Sequence, residues 1–182
     1  LDMTSEFAVN WLKKELNALL ALGADGFKFD AGGVRFYSES DVNEANTDVV
    51  GESRAYADFA YSYHYTELKE CVNFGGGHAV TRLRDKRRNF DLTEGLGALV
   101  PNMIQAGICG YFYCCADMIG GGQISDFISG KDKTFDYETI SRFCECSALM
   151  PCMQFSHAYW NKDENVKELF AKYVALHDEV SE

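Results

Sequence analysis

The chain has 182 residues, with 28 acidic against 17 basic side chains and a formal net charge of −11. Its apolar and aromatic content is enough to bury a sizeable core, which excludes a disordered polypeptide and predicts one compact domain over residues 1–182. The negative balance opposes binding to a nucleic-acid backbone or an anionic membrane and leaves small neutral ligands such as sugars open.

Thr4 or Ser5 offers an N-cap. The stretch "EFAVNWLKKELNALLAL" then sets Phe7, Ala8, Trp11, Leu12, Leu16, Leu19 and Leu20 on one face, with Lys13, Lys14 and Glu15 turned away. The spacing predicts an amphipathic helix closed by Gly23. "DGFKFD" is too short for a helix and is bounded by glycines, which predicts a buried strand stopping at Asp30. The polar run from Ser38 to Glu52 is expected to be a surface loop. Ser53 is then expected to open a tyrosine-rich helix, "RAYADFAYSYHYTELKE".

Gly75 to Gly77 lead into "AVTRLRD", a short strand expected to end on Asp85. Asp91 and Glu94 have capping-box spacing ahead of a helix running toward Gly107. "GYFYCCAD" predicts a third strand ending on an acid, Asp117, with Gly120 to Gly122 behind it. A helix from Tyr137 to Leu149, a strand-like "CMQFSHAYW" and an amphipathic helix through Val166, Leu169, Phe170, Tyr173 and Val174 complete the chain.

Gly95 to Ala116 carries no formal charge and has the length of a membrane span. Pro101, Asn102, Gln105 and several glycines interrupt it, so a buried helix followed by a buried strand is the expected structure. The seven cysteines, Cys71, Cys109, Cys114, Cys115, Cys144, Cys146 and Cys152, are odd in number and show no C-x-x-C spacing. They are expected to be reduced thiols in a cytoplasmic compartment. "LDMTSEF" has neither the basic start nor the apolar stretch of a signal peptide.

Helices alternating with short strands predict an α/β fold with a parallel sheet, in which the loops after the strand ends hold the chemistry. Three strands ending in Asp30, Asp85 and Asp117 would bring three carboxylates to one rim. Two carboxylates about 5 Å apart cleave a glycosidic bond with retention, one as nucleophile and the other as acid and then base. The same aspartates also suit plainer duties, capping a helix or pairing with a nearby base.

Asp85 lies in "RLRDKRR", among Arg82, Arg84, Lys86, Arg87 and Arg88, and such cations lower a carboxyl pKa, whereas a general acid needs it raised. Desolvation and a second carboxylate are what keep an acid of this kind protonated. The basic run also admits a phosphate-binding reading, against which stands the acidity of the whole chain. The two "GGG" runs lack the Lys-Ser or Lys-Thr of a phosphate loop. They fit sharp turns or close backbone approach. His157 suits either a donor to a sugar hydroxyl or a histidine packed among aromatics. No His/Cys/Asp cluster has metal-ligand spacing.

In that order, "LGADGFKFDAGG", "GGGHAVTRLRDKRRNF", "GYFYCCADMIGGG" and "ALMPCMQFSHAYW" resemble the catalytic barrel of glycoside hydrolase family 31, over nearly the whole chain. That family includes α-glucosidases, α-xylosidases, α-galactosidases and sulfoquinovosidases. The resemblance implies a (β/α)8 TIM-barrel fold, of which this chain is the C-terminal portion, about strands 4 to 8. It implies hydrolysis of α-linked sugars by double displacement with retention, with a small carbohydrate as substrate and no cofactor. Asp30 matches the nucleophile and Asp85 the general acid/base. Asp117 matches an acid lining the sugar subsite, Lys28 neighbours the nucleophile, and Arg82 falls where a side chain packs near the sugar. His157 corresponds to the family's late histidine.

Two positions depart from the pattern. Gly33 stands where relatives carry Glu or Asp, and Lys69, sixteen residues before Asp85, stands where an arginine contacts the sugar. Lysine keeps the charge and loses the bidentate fork. The early barrel strands would precede Leu1. The alternative expectation is therefore an inactive or non-catalytic carbohydrate-binding remnant of such an enzyme.

Overall fold

The computed structural model describes residues 1–69, 75, 77–122, 136–161 and 164–181. The chain divides into two compact units, Leu1–Arg82 and Leu83–Glu182. Each is α/β with parallel strands.

The first unit contains α1 (Glu6–Ala21), β1 (Gly26–Phe29), α2 (Val49–Ala60), β2 (Tyr65–Lys69) and β3 (Val80–Arg82). β1 runs parallel to β2 with Lys28 opposite Glu67, and β2 parallel to β3 with Lys69 opposite Arg82. Side chains alternate across a sheet, so Phe29 and Leu68 share the face that packs on the helices. They join Met3, Ala57, Phe59 and Tyr63 in one core, against which Val9, Leu12, Leu16 and Leu20 of α1 pack. Phe29 meets the rings of Phe59 and Tyr63 at 5.9 Å between centroids. Lys28, Glu67, Lys69 and Arg82 take the opposite face by the same alternation.

Three expectations change here. The inward stripe of α1 excludes Phe7, Trp11 and Leu19, which stay exposed. Ser5 is its N-cap by backbone geometry, with no side-chain cap bond. α2 starts at Val49, four residues before Ser53, because Asp48 caps it: its Oδ1 accepts the Gly51 N–H at 2.9 Å. Asp48→Ala is expected to cost the first unit about 1 kcal/mol, read as a shift in urea midpoint at unchanged slope.

The tyrosine-rich helix also ends early, at Ala60, and Tyr65–Lys69 is a strand. Thr66 Oγ1 lies 3.0 and 2.9 Å from the carbonyl oxygens of Ala60 and Tyr63, satisfying groups that close the helix. Leu68 is fully buried in the sheet. "YTELK" has helix-forming residues, and cross-strand burial overrides that local preference.

The second unit contains a 3-10 turn at Leu96–Ala98, then α3 (Leu99–Ile108), β4 (Cys114–Ile119), α4 (Tyr137–Ala148), β5 (Cys152–Phe155) and α5 (Glu164–Val180). Its core includes Ile119, Ile140, Phe143, Tyr159, Val166 and Phe170. Asp91 does not complete a capping box. Its Oδ1 accepts the N–H groups of Thr93 and Glu94 in a turn, while the Glu94 carboxylate pairs with Arg84 and Arg87, each at 2.9 Å. The Thr93 hydroxyl, which also donates to Oδ1, and then these N–H groups push the Asp91 carboxyl down to about 2.

The uncharged stretch 95–116 is divided between α3 and the start of β4, and among the described residues no helix is long and apolar enough to cross a membrane. α3 is not buried as expected: Val100, Ile104 and Ile108 face outward. Among the described residues, Cys109, Cys114, Cys115, Cys144, Cys146 and Cys152 form no disulfide, and Cys71 lies outside the described residues. Burial pushes the Cys144 thiol up to about 12.

Candidate active site

In the first unit, Asp30 follows β1 directly, as its sequence context predicts. Its carboxylate sits between two buried cations. Arg82 Nη2 donates to Oδ2 at 3.3 Å, and Lys69 Nζ lies 3.7 Å from Oδ1. Arg82 is 2 % exposed and Lys69 5 %, whereas Asp30 is open to solvent on one side. The same guanidinium donates from Nε to Glu67 Oε1 at 3.0 Å, and Glu67 also pairs with Lys28 at 3.3 Å. One planar fork thus serves two carboxylates, a geometry that an ammonium cannot reproduce.

The sheet explains the cluster. Lys28, Glu67, Lys69 and Arg82 occupy adjacent register positions on the face turned away from the helices, and Asp30 continues that alternation past the end of β1. Of the predicted residues, this unit gathers Lys28, Asp30, Lys69 and Arg82. Glu67, which links the two cations on either side of it, was missed because its strand was taken for helix. Thr66 and Leu68, apolar-facing on either side of it, are the signal that would have found it.

The turn after Asp30 is held by α2. Tyr56 donates its hydroxyl to the Asp30 carbonyl oxygen and Ser53 donates to that of Gly32, both at 2.6 Å. Ala31 adopts a left-handed conformation, φ 60°, and its N–H donates to Asp30 Oδ1 at 2.7 Å. A non-glycine residue holds that conformation only when its surroundings impose it. At Gly32 a Cβ would run into the Tyr56 ring, so glycine is required for packing. Burial first, and then the Tyr37 and Asp30 side chains opposing a further negative charge, push the Tyr56 phenol up to about 12, so it remains a donor into alkaline pH. Tyr56→Phe removes one hydrogen bond to the turn. The expected loss is about 1 kcal/mol of stability, checked as a shift in urea midpoint.

In the second unit, Asp85 is half-buried and lies three residues beyond β3, which ends at Arg82 and not at the aspartate. Asp117 does not end its strand either: β4 runs on to Ile119. Asp117 is 1 % exposed, and its Oδ2 accepts the Lys86 N–H at 2.6 Å. Lys86 is equally buried. Its Nζ donates to the Arg84 carbonyl oxygen at 2.7 Å, and burial pulls its ammonium down while Asp117 opposes the shift.

His157 lies beyond β5, exposed, with its ring edge-on to Tyr159 at 5.6 Å between centroids. Beside it, Ser156 Oγ donates to the Ile119 carbonyl oxygen at 2.9 Å and shares a 2.7 Å hydrogen bond with the Tyr159 hydroxyl.

No family model matches the chain. Among curated proteins, the mouse protein named myogenesis-regulating glycosidase is 29% identical to it over 181 residues, covering 97% of this chain and 25% of that relative. The chain therefore spans about a quarter of that relative's length. The match extends over nearly all of both units and supports, at low identity, a glycosidase relationship for this chain.

Proposed function

We propose that the chain is the catalytic part of a retaining α-glycosidase of glycoside hydrolase family 31, and that its strands are about the fourth to eighth of a (β/α)8 barrel. The observation that carries the reading is Asp30: an aspartate just past a parallel strand, flanked by buried Lys69 and Arg82, on the sheet face opposite the helices. The glycosidase-named relative supports the same class of reaction.

In this scheme a carboxylate oxygen of Asp30 attacks the anomeric carbon as Asp85 protonates the glycosidic oxygen and the alcohol departs. The sugar remains as an ester on Asp30. Asp85, now a carboxylate, takes a proton from water as that water attacks the same carbon, which frees the sugar with its configuration retained. Lys69 and Arg82 hold the nucleophile in one orientation, and the Tyr56 and Ser53 bonds fix the turn that bears it. Lys28 and His157 are candidates for contacts to the sugar or aglycone. No cofactor takes part. The free thiols fit a reducing, cytoplasmic setting.

The test is incubation of the full-length protein with a panel of activated fluoro-α-glycosides of glucose, galactose, xylose and sulfoquinovose, followed by intact mass and peptide mapping. A sugar adduct on Asp30 is the expected result, and the sugar that adds identifies the substrate. A folded protein that binds sugars and forms no adduct would instead favour the non-catalytic reading, which Gly33 and Lys69 motivate.

A further inference from the structure

We infer that Asp117 is a positioning residue. Together with the turn Gly120–Gly122 it clamps both peptide units of Lys86 and so sets the direction in which Asp85, one residue earlier, presents its carboxyl. The inference rests on the reading of Asp85 as general acid/base.

The segment needs such a clamp. β3 ends at Arg82, and no helix or strand holds residues 84–88. The structure supplies bonds from several sides instead. Asp117 Oδ2 accepts the Lys86 N–H at 2.6 Å, the Gly122 N–H donates to the Lys86 carbonyl oxygen at 3.1 Å, and Arg88 Nε donates to the Gly120 carbonyl oxygen. Lys86 Nζ, buried, returns to the Arg84 carbonyl oxygen on the other side of Asp85. The backbone on both sides of Asp85 is therefore tied down while its side chain stays half-buried.

The backbone of β4 is distorted where Asp117 sits. Cys115 pairs with Cys152 and Met118 with Gln154, so β4 carries one extra residue, a bulge at Ala116 and Asp117. Asp117 itself has φ 101°, a conformation that side-chain-bearing residues rarely adopt. Bulges of this kind re-aim a side chain, and this one aims a buried carboxylate at a backbone N–H. The glycine run fits the same purpose. A Cβ at Gly122 would stand 2.9 and 3.0 Å from the two Asp117 carboxylate oxygens, and one at Gly121 would stand 2.8 Å from the Lys86 carbonyl oxygen. Either substitution would push the partners of the clamp apart. A residue 1 % exposed, with an oxygen already committed to an N–H, is poorly placed to receive a sugar hydroxyl, which is the role the resemblance implies for it.

The experiment compares Asp117→Ala, Asp117→Asn and Asp85→Ala in the full-length protein, on an alkyl α-glycoside and on the matching α-glycosyl fluoride. Fluoride departs with little help from an acid, so loss of a correctly placed acid spares it. Asp117→Ala is expected to lower kcat for the alkyl glycoside by about 100-fold and for the fluoride by less than tenfold, with KM for both little changed. Asn retains an acceptor for the Lys86 N–H, and Asp117→Asn is expected to recover most of the loss. Asp85→Ala should show the same leaving-group pattern in stronger form. Equal loss on both substrates, or a loss confined to KM, would overturn the inference in favour of sugar contact.

If Asp85→Ala shows no leaving-group dependence, the acid/base reading fails. The clamp is then judged by hydrogen exchange at the Lys86 amide. Faster exchange in Asp117→Ala than in wild type or Asp117→Asn supports the clamp, and unchanged exchange overturns it.

Discussion

Asp30→Ala is expected to lower turnover of an alkyl α-glycoside by about 10⁵-fold, because the step it removes is formation of the covalent bond itself. The fold should survive the exchange, since the Asp30 side chain is half exposed and Tyr56 still holds the Asp30 carbonyl oxygen when the carboxylate and its bond from the Ala31 N–H are lost. Azide separates the two aspartates. In Asp30→Ala it takes the place of the nucleophile and yields a glycosyl azide of inverted configuration, whereas in Asp85→Ala it intercepts the glycosyl ester and yields the retained one. The checks are product stereochemistry by NMR and the fold of each variant by circular dichroism. Asp30→Ala with near-wild-type turnover, or the same azide product from both variants, would remove Asp30 from the role proposed for it.

Arg82→Ala carries the largest expected cost in stability, about 3 kcal/mol. The guanidinium is 2 % exposed and joins Glu67 to Asp30, so truncation takes a charge-assisted hydrogen bond from a largely buried Glu67. Arg82→Lys should recover part of the loss and not all, since one ammonium cannot serve two carboxylates in the directions the fork does. Combining Arg82→Met with Glu67→Gln should be less harmful than the sum of the two, because no unpaired charge is then left in the interior. Urea denaturation of the five variants, Arg82→Ala, Arg82→Lys, Arg82→Met, Glu67→Gln and the last two combined, measures this directly. A cost below 1 kcal/mol for Arg82→Ala would mean that solvent reaches the cluster and that the pairs are the weak ones of a surface.

The same network bears on the two departures from the family pattern. Lys69 keeps its positive charge within 3.7 Å of Asp30, so replacing the expected arginine does not leave the carboxylate without a second cation. Gly33 adds no carboxylate beside it. Its neighbour Gly32 is instead fastened to α2 through Ser53 and packed under Tyr56. On the proposed reading, the cluster at Asp30 positions the nucleophile, while the Gly33 and Lys69 exchanges bear on how the sugar is contacted.

Much of this was legible in the residues. Periodicity marked α1, α4 and α5, glycine-bounded apolar runs marked β1 and β4, a strand-like "CMQFSHAYW" marked β5, and the placement of Asp30 after a strand follows from "DGFKFD" alone. What periodicity could not reveal was β2. Its residues favour a helix locally, and they form a strand because Leu68 is buried between neighbours that arrive from β1 and β3. With β2 hidden, Glu67 was hidden too, and so was the reason why Lys69 and Arg82 stand side by side.

The amino-acid pattern by itself determined the class of the fold and the candidacy of Asp30 and Asp85, because each depends on residue type and on spacing along one stretch of chain. Only the tertiary structure decided what the side chains do. Asp117 could be taken for a rim carboxylate until a bulge in β4 aimed it at the Lys86 N–H, and Arg82 for one cation in a basic run until β2 set Glu67 beside it. Those roles depend on contacts between residues 15 to 52 positions apart in the chain, and a contact at that separation is selected by packing and burial rather than by local propensity.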